Sequence, residues 1–154
     1  MSPTATIDIR HARRDDVPHI VALLTADPIG QQREAAASAA SYFAAYDALT
    51  LDKATQSFVA ADADGNIIGY VQVTITRHLS YRGVCRALLE DLRVAVPYRR
   101  SGIGNRLVRT AIAAAQAAGC SLVQLLVHTE RDAAHSFYRK LGFRADHLGL
   151  RLPL

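Results

Sequence analysis

The chain contains no tryptophan, a single methionine and two cysteines among 154 residues. Each scarcity excludes something. Cys85 and Cys120 fit none of the spacings of a zinc site or a disulfide framework, so a fold stapled by metal or bridges is set aside. Both lie beside apolar runs and read as buried thiols in a reducing environment. The six histidines form no trio with carboxylates at metal-ligand spacing, and no metal is expected. No apolar run is long enough to span a bilayer, and the opening stretch MSPTATIDIRHARRDD lacks a signal peptide's apolar region. The expectation is a cytoplasmic protein without a membrane partner. Formal charge is only +4, with arginines scattered rather than massed. A nucleic-acid-binding module needs a basic stripe with exposed aromatics, so no nucleic-acid partner is expected. A polyanionic cofactor suits the mild basic bias equally well.

What is present is 50% hydrophobic and 21% charged, the composition of one globular domain over residues 1–154 with a real core. Ile7 to Arg10 alternates as a short strand. Asp15 or Asp16 caps a helix with Pro18 in its first turn, and Asp27-Pro28-Ile29-Gly30 breaks it. The Ala-rich run from Gln31 to about Leu49 has no Gly or Pro and predicts a second helix, on which Tyr42, Phe43 and Tyr46 are expected to pack into the core. Ser57–Ala61 and Ile67–Thr76, joined by Asp62-Ala-Asp64-Gly65-Asn66, predict a hairpin, followed by a polar loop from Arg77 to Gly83.

The chain is organised around Leu88–Leu107, LLEDLRVAVPYRRSGIGNRL. Leu88–Val96 suits a largely buried strand, which Pro97 ends for want of an N–H. A basic turn follows, then Gly102-Ile103-Gly104, and from Ile103 the apolar residues at 103, 107, 108, 111, 112 and 115 mark one face of a helix. A helix N-terminus carries unpartnered N–H groups and partial positive charge. With Arg99 and Arg100 beside it and glycines that bare the backbone, a phosphate is the natural guest. Glycines placed there only for tight packing are the plainer alternative. Gly119 is a fitting C-cap, Ser121–Val127 an apolar strand, and Thr129 or Asp132 the cap of a helix through Leu141. Phe143–Ala145 and Leu148–Leu152 predict a last pair of short strands.

Arg99-x-x-Gly102-x-Gly104 after a hydrophobic strand resembles the acetyl-coenzyme A signature of the GNAT N-acetyltransferases, Arg/Gln-x-x-Gly-x-Gly/Ala. Ala134-His-Ser-Phe137-Tyr138-Arg-Lys-Leu141-Gly142-Phe143 resembles that family's second element, at the proper distance. The order β-α-α-β-β-β-α-β-α-β-β is similar over nearly the whole chain. The resemblance implies an α/β (α+β) fold with a mixed, mostly antiparallel central sheet flanked by helices, and acetyl-CoA as co-substrate. It implies that the backbone around Leu92, Val94 and Val96 serves the pantetheine arm, and that Arg99, Arg100, Gly102, Gly104 and Asn105 hold the pyrophosphate.

Tyr138 occupies the place of the family's thiolate-protonating tyrosine, and a phenol is a reasonable donor to a thiolate of similar basicity. The alternative is a packing residue beside Ala134, Phe137 and Leu141. Glu90, a carboxylate in an apolar strand, is the implied base, unless it or Asp91 only pairs with Arg93 or a neighbouring cation. Arg131 stands where many relatives carry Asn and is counted with the cofactor-binding residues. The run from Arg131 to Tyr138 is similar to aminoalkylphosphonate-type enzymes, which implies an anionic group on the acceptor. The acceptor expected is a small-molecule primary amine, with a protein N-terminus or lysine as the alternative. A non-catalytic acetyl-CoA sensor is the rival of another class. A homodimer is left open.

Overall fold

The computed structural model describes residues 6–154. Five strands form one sheet in the order β1-β2-β3-β4-β5. They are β1 (Asp8–His11), β2 (Thr55–Ala61), β3 (Ile67–Arg77), β4 (Cys85–Val94) and β5 (Leu122–Leu125). The first three pairings are antiparallel and β4–β5 is parallel. The hairpin forms as predicted: the Asp62 carboxylate accepts from the amides of Asp64 and Asn66, and Gly65 takes φ +85°.

Helix α5 (Ile103–Ala117) covers one face of the sheet. Its Ile103, Leu107, Val108, Ala111 and Ala115 are buried against Phe58, Val71, Val73, Ala87 and Leu89. Each of the Ile, Leu, Val and Phe side chains among them contributes roughly 1.5–3 kcal/mol by leaving water. On the other face α1 (Val17–Leu24) sets Ile20 and Leu23 against Val59 and Tyr70. Asp16 precedes α1, but its carboxylate bonds Arg10 at 2.7 and 3.0 Å and the Arg13 amide at 2.7 Å rather than the helix.

Several expectations are corrected. The Ala-rich stretch is two helices, α2 (Pro28–Glu34) and α3 (Ala39–Leu51). Asp27 and Pro28 start α2 instead of only ending α1, since the Asp27 carboxylate accepts the Gly30 amide at 2.7 Å. Ser38 caps α3 through the Ser41 amide. No residue of α3 is buried, so Tyr42, Phe43 and Tyr46 are not core. The Arg77–Gly83 loop contains a single turn, α4 (Ser80–Gly83), in which Tyr81 and Arg82 have positive φ. Arg131, not Thr129 or Asp132, sits at the N-cap of α6 (Asp132–Lys140).

The last pair of strands is absent among the described residues. Leu148, Leu150, Leu152 and Leu154 alternate as a strand would, yet are 85%, 88%, 83% and 117% exposed. A strand needs a partner edge, and this segment finds none among the described residues. Cys85 is buried and Cys120 half-buried, and their Sγ atoms lie 3.1 Å apart, a proximity that the sequence spacing concealed.

Candidate active site

The site begins with a register fault. Gln72 of β3 lies opposite Glu90 of β4, but the next pairing is Tyr70 with Arg93, so β4 carries one extra residue. Asp91 absorbs it at φ +54°. Leu92 and Val94 therefore join the α5-side core, while Glu90 and Arg93 share the opposite face with Gln72 and Tyr70. A regular strand would place Glu90 and Arg93 on opposite faces.

The bulge also separates two strands. β5 pairs with β4 only from Arg86 to Leu89. From Glu90 onward the β4 backbone has no β5 partner. Tyr138 of α6 packs on the same core cluster as Leu92 and Val94, its ring edge-on to Phe137 and Phe143 at 5.1 and 5.6 Å. Burial pushes its phenol up to about 12, against the opposing pull of Arg93 and Arg131. At neutral pH the hydroxyl is protonated and has a proton to give.

Beyond β4 the chain turns through Val96–Tyr98, anchored by the Tyr98 hydroxyl donating to Asp62 at 3.1 Å. Arg99 folds back, its Nε donating to the Val94 carbonyl at 3.1 Å. Arg100 and Gly102 both take positive φ, which aims the following amides outward at the start of α5. No side chain caps α5, so its first-turn N–H groups stay available to an anion. The two glycines differ. A Cβ on Gly102 would meet nothing within 4 Å, whereas one on Gly104 would lie 3.4 Å from Phe137. Gly102 faces open space; Gly104 seats α6 on α5. Asn105 accepts from Arg109 at 2.6 Å. These residues fit a pyrophosphate-bearing thioester: an uncapped helix start, an open glycine and an unpaired strand edge leading to a phenol.

Carboxylates and guanidiniums crowd the other side of the bulge. Arg131 forms a forked pair with Asp27 at 2.9 and 3.1 Å, tying α6 to the start of α2. Arg33 bridges Glu34 at 2.7 Å and Asp91 at 3.6 Å, and the Tyr42 hydroxyl donates to Glu34 at 2.7 Å. Glu90 makes no ion pair among the described residues, and its alternative role as partner of Arg93 is not what forms. Its partial burial, and then the neighbouring Asp91 charge, push its carboxyl above the ordinary value. Beside the bulge a cavity of about 150 Å³ is lined by Leu24, Tyr42, Tyr46, Tyr70, Gln72 and Asp91. A larger hollow of about 370 Å³ near His11 and Tyr46 touches none of the residues named for chemistry.

Sequence reasoning missed Arg33, Glu34 and Tyr42, whose only signal is a polar stripe facing a strand 49 or more residues away. His135 bonds the His128 carbonyl and His78 bonds Thr76, so neither points to acceptor chemistry. Among the described residues no His, Cys, Asp and Glu gather as a metal site, and no helix is long and apolar enough to cross a membrane.

A crystal structure of a transcriptional regulator from Bacillus halodurans C-125 is 36% identical and superposes with a TM-score of 0.91, covering 97% of this chain and 100% of that one. The aminoalkylphosphonate N-acetyltransferase of Salmonella typhimurium is 26% identical over 91% of this chain and 86% of its own. The streptothricin acetyltransferase of Streptomyces lavendulae is 33% identical over 60% of this chain, a match spanning only 46% of that enzyme. Residues 11–143 match the family model of the acetyltransferase (GNAT) family, and the chain belongs to that family.

Proposed function

We propose that this chain is an N-acetyltransferase that moves an acetyl group from acetyl-CoA to the primary amine of a small molecule. The observation that carries the reading is the end of β4–β5 pairing at Leu89, just before the bulge, with Tyr138 packed on the same cluster as Leu92 and Val94 and the start of α5 uncapped by any side chain. When bound there, acetyl-CoA supplies an activated acetyl thioester. The first-turn amides of α5, with Gly102, hold the pyrophosphate, and the Leu92–Val94 backbone, which has no β5 partner, aligns the arm. Glu90, with its raised carboxyl, takes the proton of the incoming ammonium. The freed amine attacks the thioester carbonyl, and as the C–N bond forms and the C–S bond breaks Tyr138, protonated throughout the neutral range, gives its hydroxyl proton to the departing sulfur and regains one from the acetylated nitrogen. Relatives named for aminoalkylphosphonate and streptothricin support a small acceptor over a protein.

The proposal includes one acetyltransferase domain, at work in the reducing cytoplasm, and self-association. The leucine tail is exposed and unpaired among the described residues, and in this proposal the edge of a second copy covers it. Sedimentation should give a dimer for the full chain; a monomer would overturn that part. For the activity, calorimetry with acetyl-CoA and mass spectrometry of an amine panel give the test. Acetyl-CoA binding with an N-acetylated product is expected. Binding without any product from small amines or peptides would turn the reading into that of a sensor.

A further inference from the structure

Resting on the reading of this site as an amine acetyltransferase, we infer that the acceptor carries an anionic oxyacid group (phosphonate, phosphate or carboxylate) a few bonds from its amine, and that Arg93 binds it. Arg93 is half-buried, and its Nε is buried without any hydrogen-bond partner. One of its donors is engaged, Nη1 to the Leu92 carbonyl at 2.9 Å. A guanidinium has five N–H donors in a fork that matches an oxyanion, so most of this one is idle. It also makes no ion pair among the described residues.

That is unusual because the nearby carboxylates are already committed. Asp27 is held by Arg131 and the Gly30 amide, and Asp91 and Glu34 by Arg33. Arg131 and Arg33 add like charge around Arg93, while Asp91 and Asp27 only partly offset it. Withdrawing a cation from water without a counter-ion is costly, and an arriving anion relieves it. Glu90 is the other unpaired charge on this face. The two address β3 positions two residues apart, Gln72 and Tyr70, hence about 7 Å at a strand's rise per residue. One unpaired carboxylate and one unpaired guanidinium at that separation complement an ammonium and an oxyanion on one short molecule.

The test compares acetyl transfer to 2-aminoethylphosphonate, 3-aminopropionate and propylamine, which present the same amine with a phosphonate, a carboxylate or no anion. Wild-type protein should favour an anionic acceptor over propylamine by roughly 10- to 100-fold in kcat/KM, the usual worth of a charge-assisted hydrogen bond. The stronger of the two anionic acceptors tells phosphonate from carboxylate. Arg93→Gln should reduce the preference to a few-fold while the KM for acetyl-CoA holds, and Arg93→Lys should keep part of it. Equal use of propylamine by wild type, or a preference that survives in Arg93→Gln, overturns the inference. So does a raised KM for acetyl-CoA, which would assign Arg93 to the cofactor. The wild-type comparison needs no variant to fold. Calorimetry of the same three amines with the coenzyme A complex reads the anion preference without turnover. Failure of all acetyl transfer would thus count against the enzyme reading, while absence of the preference counts against Arg93.

Discussion

Gly102 and Gly104 are two positions apart and do different jobs. Gly102 needs its φ of +88° but has free space around it. Gly102→Val costs about 1–2 kcal/mol of backbone strain and sets a branched side chain where an anion must approach. Acetyl-CoA affinity measured by calorimetry should fall about tenfold or more. Gly104 has an ordinary helical backbone and is closed over by the Phe137 ring. Gly104→Val should lift α6, lowering the melting temperature along with activity. Equal losses of affinity without any loss of stability in both variants would contradict this division. The motif was readable in the sequence, but its two glycines looked alike there. Only the neighbour at 3.4 Å separates them, and that neighbour is 33 residues away.

Elements with a strong local period were legible. The face of α5 follows from apolar spacing alone, and the β2–β3 hairpin from its Asp-Gly turn. Asp27-Pro28 carried a helix-start signal that was read as a break, because Pro at the first helical position and Pro after a helix look the same without context. The β4 bulge was not legible, since register is a property of two strands. It decides the chemistry at Glu90. A carboxyl whose folded pKa is raised holds its proton longer in the native state, so its contribution to stability falls as pH rises between the unfolded and folded values. Glu90→Gln removes that loss, so its melting temperature at neutral pH should equal or exceed wild type. Its kcat/KM should fall and lose the rising limb of the pH profile. An unaltered pH profile would remove Glu90 from the role of base. Asp16 has the opposite sign. Burial raises its carboxyl, but bonds from Arg10 and the Arg13 amide outweigh this and lower it below 3.8. Its stabilisation is complete above that value and fades as pH falls through the folded pKa. Asp16→Asn should cost roughly 1–3 kcal/mol in denaturant titrations at neutral pH, with a smaller difference in acid. A difference that grows on acidification would contradict the pairing.

At the scale of the molecule, the candidate site belongs to no single element. β4 supplies the bulge, α5 the uncapped helix start, α6 the phenol, and α2 and α3 the polar rim. The sequence resolves the parts that lie within one stretch and loses those that depend on assembly. Tyr42 and Tyr46 looked like core because aromatic residues at helical spacing usually are, yet α3 leaves them lining a cavity beside Asp91. The terminal leucines carried a true strand pattern that lacks an edge to pair with. Tyr138 is where the parts meet, and it tests the account most directly. Tyr138→Phe retains the ring and its edge-on packing while deleting the proton donor. With a working acceptor at saturating acetyl-CoA, kcat should fall by about 10²–10⁴, and the calorimetric affinity for acetyl-CoA should hardly move. Full turnover by Tyr138→Phe would contradict the account, returning Tyr138 to packing and leaving the departing thiolate to another donor.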